Sequence, residues 1–109
     1  MFKYSKTSLK RLLTCHKDLQ VLLSEALKNS PFDISILCGY RSKKEQNDAY
    51  NTGNSQLKYP HSKHNSNPSI AVDIAPYPID WDDINRFVIL SEHIKKTADD
   101  LGINVHLGS

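Results

Sequence analysis

The residues best suited to chemistry stand in the stretch Ser62-Lys63-His64-Asn65-Ser66-Asn67-Pro68-Ser69-Ile70-Ala71-Val72-Asp73. A histidine in a polar turn is followed by a short apolar run that delivers an aspartate. In that order a loop imidazole and a strand carboxylate can converge on one metal ion. Zinc takes nitrogen and oxygen ligands at about 2.0–2.2 Å, and its catalytic sites commonly combine three protein ligands with a water. His64 and Asp73 are two candidate ligands of this kind. The bland alternative is a polar loop histidine and a strand-end aspartate that ties the loop down. For a third ligand the sequence offers His61, in a His-x-x-His turn with His64, and His106 on the last apolar run. A lone histidine, though, is more often an ordinary surface or core residue. His16 falls on an apolar helix face and His93 on a charged helix, and neither has a partner at ligand spacing.

These side chains need a scaffold, and the hydrophobic pattern supplies one. Leu9, Leu12, Leu13, His16, Leu19, Leu22, Leu23, Ala26 and Leu27 recur at intervals of three and four, the stripe of one or two amphipathic helices. Asn29-Ser30-Pro31 ends that stripe, because proline restricts the residue before it. Asp33 to Cys38 alternates as a strand and leaves Gly39-Tyr40-Arg41 at its end, where Arg41 can project into a cleft. Ser42 with Glu45 forms a capping box, so a helix is expected over 43–51 with Gly53 closing it. Residues 53–69 read as a long surface loop, and such loops inside compact domains are often functional. Residues 70–74 are expected to form a second strand, with Ile70, Val72 and Ile74 on one face and Ala71 and Asp73 on the other. Ala75-Pro76-Tyr77-Pro78 reads as a rigid exit from it. Asp80 is expected to cap a long helix carrying Ile84, Phe87, Ser91, Ile94, Ala98 and Leu101, with Gly102 terminating it. Residues 103–107 read as the opening of a third strand. The pattern predicts an α+β fold, a small central antiparallel sheet flanked by helices, in one domain over 1–109.

Composition limits the classes of function. With 109 residues, 39% hydrophobic and 24% charged, the chain is an ordinary globular domain. A formal charge of +2 gives no case for a nucleic-acid partner, which calls for a strongly basic face. No apolar run approaches the ~18 residues of a membrane span, and the first residues lack the apolar stretch of a signal peptide. The expectation is synthesis in the cytoplasm, no membrane insertion and a monomer. Cys15 and Cys38 are too few for a disulfide framework and read as small core residues. Tyr59, Tyr77 and Trp81 could line a groove, although packing around the proline turns is the simpler use of Tyr77 and Trp81.

Taken in order, Gly39-Tyr40-Arg41-Ser42, Gln46, Tyr50, Gly53, Ser62-Lys63-His64, Ala71-Val72-Asp73 and Leu101-Gly102-Ile103 resemble the zinc peptidoglycan peptidases of the VanY / D-alanyl-D-alanine carboxypeptidase type. The likeness is strongest to the phage endolysins that cut the L-alanyl-D-glutamate bond. The resemblance implies a Hedgehog/DD-peptidase-like fold, a Zn2+ cofactor and the peptidoglycan peptide stem as substrate. It makes His64 and Asp73 the zinc ligands, although Asn65-Ser66-Asn67-Pro68-Ser69 replaces the family's short glycine turn. It places Arg41 near the scissile carbonyl as a catalytic and substrate-binding residue, and makes Gln46 a substrate-binding residue that supports the same cleft. A salt bridge to Asp73 or another acid is the plain alternative for Arg41. The family continues into a further strand that supplies a general base and a third ligand. By that comparison the chain is expected to be C-terminally incomplete, lacking the last strand.

The expected function is zinc-dependent hydrolysis of a bond in the peptidoglycan stem, of the L-alanyl-D-glutamate endopeptidase or D-alanyl-D-alanine carboxypeptidase type. A phage or prophage lysis enzyme, made without a signal peptide and acting on the cell wall after release, fits that reading. The alternatives are a non-catalytic module that binds wall peptides and an inactive truncated product.

Overall fold

The structure, a computed structural model, describes residues 2–104. Its elements in chain order are α1 (Lys6–Leu12), α2 (Lys17–Lys28), β1 (Asp33–Cys38), α3 (Lys43–Asn51), a short 3-10 turn (Lys63–Asn65), β2 (Asp73–Tyr77) and α4 (Ile84–Leu101). The apolar stripe expected at the start of the chain thus forms two helices. His16 stands between them as the N-cap of α2, its ring accepting the Asp18 amide, and not on an apolar helix face. β1 and β2 pair antiparallel as a two-stranded sheet among the described residues. Helix α1 lies against β1, α4 against β2, and α2 against α4. The core between these layers is built from Leu19, Leu22, Leu23 and Ala26 of α2, Ile34 and Ile36 of β1, and Leu90, Ile94 and Ala98 of α4. Cys15 is part of that core, as expected. No described helix is long and apolar enough to cross a membrane.

The edge of β1 that faces away from β2 is closed by α1. The buried Ser8 hydroxyl accepts the Ile36 amide at 3.0 Å, and Arg11 Nη1 donates to the Ile36 carbonyl at 3.1 Å. Two polar side chains of one helix thereby satisfy strand groups that would otherwise form an open edge.

Strand β2 differs from expectation. It begins at Asp73 and runs through Ala75, Pro76 and Tyr77, so the proline segment is strand and not exit. Pro76 stands opposite Ile34, whose amide bonds the Asp33 side chain instead of β2. At such a position the missing N–H of proline costs the β1–β2 ladder nothing. Residues 70–72 are held elsewhere: Ser69 bonds the α1–α2 junction through His16 N to Ser69 O at 2.7 Å and Ser69 N to Thr14 O at 2.9 Å. Ile70 is consequently exposed, while Ala71 and Val72 are both buried.

Helix α3 spans the expected residues, and both halves of the Ser42–Glu45 capping box are made. For α4 the N-cap is Asp83, not Asp80. Asp80 instead closes the preceding turn by accepting the Asp82 amide at 3.0 Å. Ile84 and Leu101, expected on its apolar face, are exposed, and Leu90 takes a buried place. Gly102 ends the helix with a left-handed φ of +70°, as expected. Trp81 stacks on Phe87 at a centroid distance of 5.3 Å yet stays exposed, as do Tyr59 and Tyr77. Of the expected third strand only Ile103 and Asn104 are described, without strand structure, and Ile103 packs against the core; the rest, with His106, lies outside the described residues.

Candidate metal centre

Gly39 fixes where the end of β1 meets α1. A Cβ on it would stand 2.5 Å from the Arg11 carbonyl oxygen and 2.9 Å from Cys15 Sγ, and nearer still to Thr14 Oγ1. Only glycine permits this approach. Thr14 Oγ1 accepts the Tyr40 amide at 2.8 Å and donates to the Arg11 carbonyl at 2.6 Å, so the turn after β1 is tied to the end of α1. The Gly39 carbonyl then points at His64 and accepts from its Nδ1 at 2.7 Å.

The segment 53–69 folds inward around His64 and is not a loop confined to the surface. The 3-10 turn begins with Ser62 accepting the His64 amide, and Asn65 accepts the Ser62 amide in return. Arg41 N donates to the His64 carbonyl at 2.8 Å. His64 is 0% exposed. Its Nδ1 proton is committed to Gly39, which leaves Nε2 as the free nitrogen, and Nε2 has no hydrogen-bond partner although it is fully buried. A buried polar atom left unpaired is rare and costly. A histidine whose other nitrogen donates to a backbone carbonyl is the arrangement that orients a metal ligand.

Nε2 points at Asp73, with Oδ1 3.3 Å away. Two atoms each about 2.1 Å from one ion at a tetrahedral angle lie about 3.4 Å apart, so the spacing suits a shared cation. The other oxygen, Oδ2, pairs with Arg41 Nη2 at 3.4 Å. The salt bridge that was the plain reading of Arg41 is therefore made, and it leaves Oδ1 turned toward His64. Arg41 Nη1 donates to Gln46 Oε1 at 2.9 Å, and Gln46 Oε1 also accepts from Asn65 at 3.2 Å. Gln46 Nε2 donates to Ser55 Oγ at 2.9 Å and to the Leu57 carbonyl. With 0% exposure and every polar atom engaged, Gln46 has no surface to offer a substrate. It acts behind Arg41 and not beside it.

Cys38 is the residue that sequence reasoning misplaced. It lies outside the core cluster, and with His64 and Asp73 it forms a group whose ligand atoms all fall within 4.8 Å of one another. The cause is a bulge in β1. Ile36 pairs with Ile74, but Cys38 pairs with Asp73, so Leu37 is an extra residue in the ladder. Without that irregularity, strand alternation would put Cys38 on the Ile36 face, in the core. The bulge turns it onto the Asp73 face, as bulges beside functional sites do. His61 is exposed and belongs to no such group among the described residues.

The electrostatics follow from this crowding. Burial alone would push the His64 imidazole down, but the facing Asp73 carboxylate, Cys38 and the Gly39 carbonyl outweigh it and lift the pKa to about 9. Burial pushes the Cys38 thiol up, and the nearby His64 and Arg41 side chains with their positive charges outweigh it, leaving the thiol below its usual value. The donor set of sulfur, nitrogen and oxygen is one that suits a borderline-soft divalent ion such as zinc.

Fold and site together define a small α+β protein with a candidate metal centre at the end of its sheet. A model of the phage L-alanyl-D-glutamate peptidase family matches residues 1–109. The L-alanyl-D-glutamate peptidase of Escherichia phage T5 is 35% identical over 111 residues, spanning 99% of this chain and 80% of that protein. The chain belongs to this family of phage peptidases. The crystal structure of the Serratia marcescens L-Ala D-Glu endopeptidase ChiX has the same fold, with a TM-score of 0.79 at 24% identity over 95% of this chain and 76% of that one.

Proposed function

We propose that the chain is a zinc-dependent peptidase that hydrolyses the L-alanyl-D-glutamate bond of the peptidoglycan stem. The observation that carries this reading is the buried, unpartnered Nε2 of His64 facing the Asp73 carboxylate, in a chain of this family. The names of its relatives favour the L-alanyl-D-glutamate bond over the D-alanyl-D-alanine bond. His64 and Asp73 are the zinc ligands in this reading. Zinc held there would activate a water for attack and polarise the scissile carbonyl.

The chain's own residues do the rest. The Gly39 carbonyl holds the His64 ring so that Nε2 keeps its lone pair for the ion. Arg41, held by Asp73 on one side and Gln46 on the other, keeps a fixed positive charge at the cleft. From there it stabilises negative charge that develops on the carbonyl oxygen, and a prepositioned donor does this without reorganising. Gln46 and Asn65 position Arg41 and the turn that carries His64. In this reading the protein works as a monomer of a phage or prophage lysis system, reaching the wall after release from the cytoplasm, with no nucleic-acid partner.

The test is digestion of purified peptidoglycan with the zinc-loaded protein, followed by identification of the new amino termini. Release of D-glutamate amino termini, abolished by a chelator and restored by zinc, is the expected result. Release of free D-alanine instead would move the reading to a carboxypeptidase. Binding to wall peptides with no new amino termini would leave a non-catalytic binding module and overturn the proposal.

A further inference from the structure

We infer that Cys38 is itself a ligand of the metal, so that this chain binds its cation through sulfur, nitrogen and oxygen. The inference rests on the metal reading of the site and adds the third ligand from within the described residues. Three observations carry it. First, the bulge at Leu37 breaks the alternation that would have buried Cys38 beside Ile36 and sets it directly opposite Asp73. Second, Cys38 Sγ, a ring nitrogen of His64 and an Asp73 oxygen lie within 4.8 Å of one another. Third, His64 Nε2 is fully buried, has no hydrogen-bond partner and stands 3.3 Å from Asp73 Oδ1.

The remaining contacts of the sulfur leave it available. Its hydrogen bond is a long one, 3.6 Å to the Gly39 carbonyl, and that oxygen is already engaged by His64 Nδ1 at 2.7 Å. Coordination would exchange that weak bond for a metal–sulfur bond, with the thiol proton released to solvent. Charge is balanced as well. A thiolate and a carboxylate neutralise a divalent ion, while Arg41 remains paired with the second oxygen of Asp73. A thiolate ligand also sets the class of cation. Zinc, cobalt and cadmium bind such a set, whereas magnesium and calcium prefer oxygen alone.

The experiment uses the full chain stripped of metal and titrated with Co2+, whose thiolate complexes absorb in the near ultraviolet. The expected result is a thiolate-to-cobalt band that saturates at one equivalent and persists in millimolar magnesium. Cys38→Ser should lose the band and weaken binding by more than roughly tenfold, the loss that disturbing even an outer partner of a metal site causes. Cys15→Ala should keep both. In parallel, bound zinc should protect Cys38 of the unmodified protein from alkylation, read by mass spectrometry, so that the outcome does not depend on any variant folding. Stoichiometric cobalt binding without a thiolate band, or alkylation of Cys38 at an equal rate with and without zinc, would overturn the inference and leave the His64–Asp73 reading standing. Failure to bind any divalent cation would overturn both.

Discussion

Replacing Gly39 by alanine tests the link between packing and site most directly. The new methyl group would meet the Arg11 carbonyl oxygen at 2.5 Å and Cys15 Sγ at 2.9 Å, with Thr14 Oγ1 closer still. Two of these neighbours cannot yield cheaply, since Arg11 O is backbone at the end of α1 and Cys15 belongs to the core. Overpacking of this kind costs about 1–3 kcal/mol, and with a rigid wall the upper end, about 3 kcal/mol, is expected. With a urea dependence of about 1–3 kcal/mol per molar for a domain this size, the unfolding midpoint should fall by at least about 1 M. The site should suffer beyond the stability loss. Any retreat of residue 39 moves the carbonyl that fixes the His64 ring, and losing such a partner costs about 10- to 100-fold in metal affinity. Urea unfolding followed by far-ultraviolet circular dichroism, with metal affinity from competition against a chromophoric chelator, reads both effects. Adding Thr14→Ala should not rescue the variant, because it removes one clash, leaves the Arg11 carbonyl in place and strips the Tyr40 amide of its acceptor. A Gly39→Ala protein with wild-type midpoint and wild-type affinity would refute the reasoning.

Three further outcomes are expected. The metal-free protein should lose stability as pH rises from 6.5 toward and through 9. The His64 pKa is raised to about 9 in the fold, so its contribution is fully present below the unfolded value of 6.5 and gone above the folded one. The size is about 3 kcal/mol at most and nearer 2 once solvent around Asp73 is counted. Cys38 works in the opposite sense, so denaturation midpoints are best compared in the Cys38→Ser background, and a flat profile there would contradict the His64–Asp73 pairing. Gln46→Ala should cost about 2 kcal/mol, because it takes one partner each from the Arg41 guanidinium, the Asn65 amide, Ser55 and the Leu57 carbonyl. It should also lower kcat for wall-peptide hydrolysis while metal affinity is kept, and an equal loss of both would place Gln46 at the metal instead. Ser42→Ala removes the acceptor for the Glu45 amide and should cost about 1 kcal/mol by thermal or urea unfolding, which an unchanged midpoint would disprove.

Much of the scaffold was legible because local chemistry dictates it. Ser42 and Glu45 specify a helix start by themselves, and the alternation from Asp33 to Cys38 bounds β1 at the residues observed. The leucine stripe defines α1 and α2, and Gly102 ends α4 for the same local reason that was read from the sequence. His64 and Asp73 could be singled out as chemically apt, and the order of their flanking blocks pointed to the family. Local signals were less decisive where a tie to a distant element took over. The Ser69 backbone is captured by the α1–α2 junction, so residues 70–72 do not form strand, and Pro76 is tolerated because its partner's amide faces away.

The site itself was decided by tertiary structure. No sequence period reveals a single bulge, yet the extra residue at Leu37 moves Cys38 from the core face to the face of Asp73. Nor does a polar loop announce that it will bury its histidine. His64 is buried because the Gly39 carbonyl and the Arg41 amide, both beyond the end of β1, bond the turn that carries it. The family resemblance put Gln46 in the cleft as a substrate-binding residue, and the fold encloses it fully, bonded to Arg41. The sequence determined which elements form, because capping and periodicity act over a few residues. The convergence of Cys38, Arg41, His64 and Asp73 depends on contacts spanning up to 35 positions, from Cys38 to Asp73, and only the packed chain could set it.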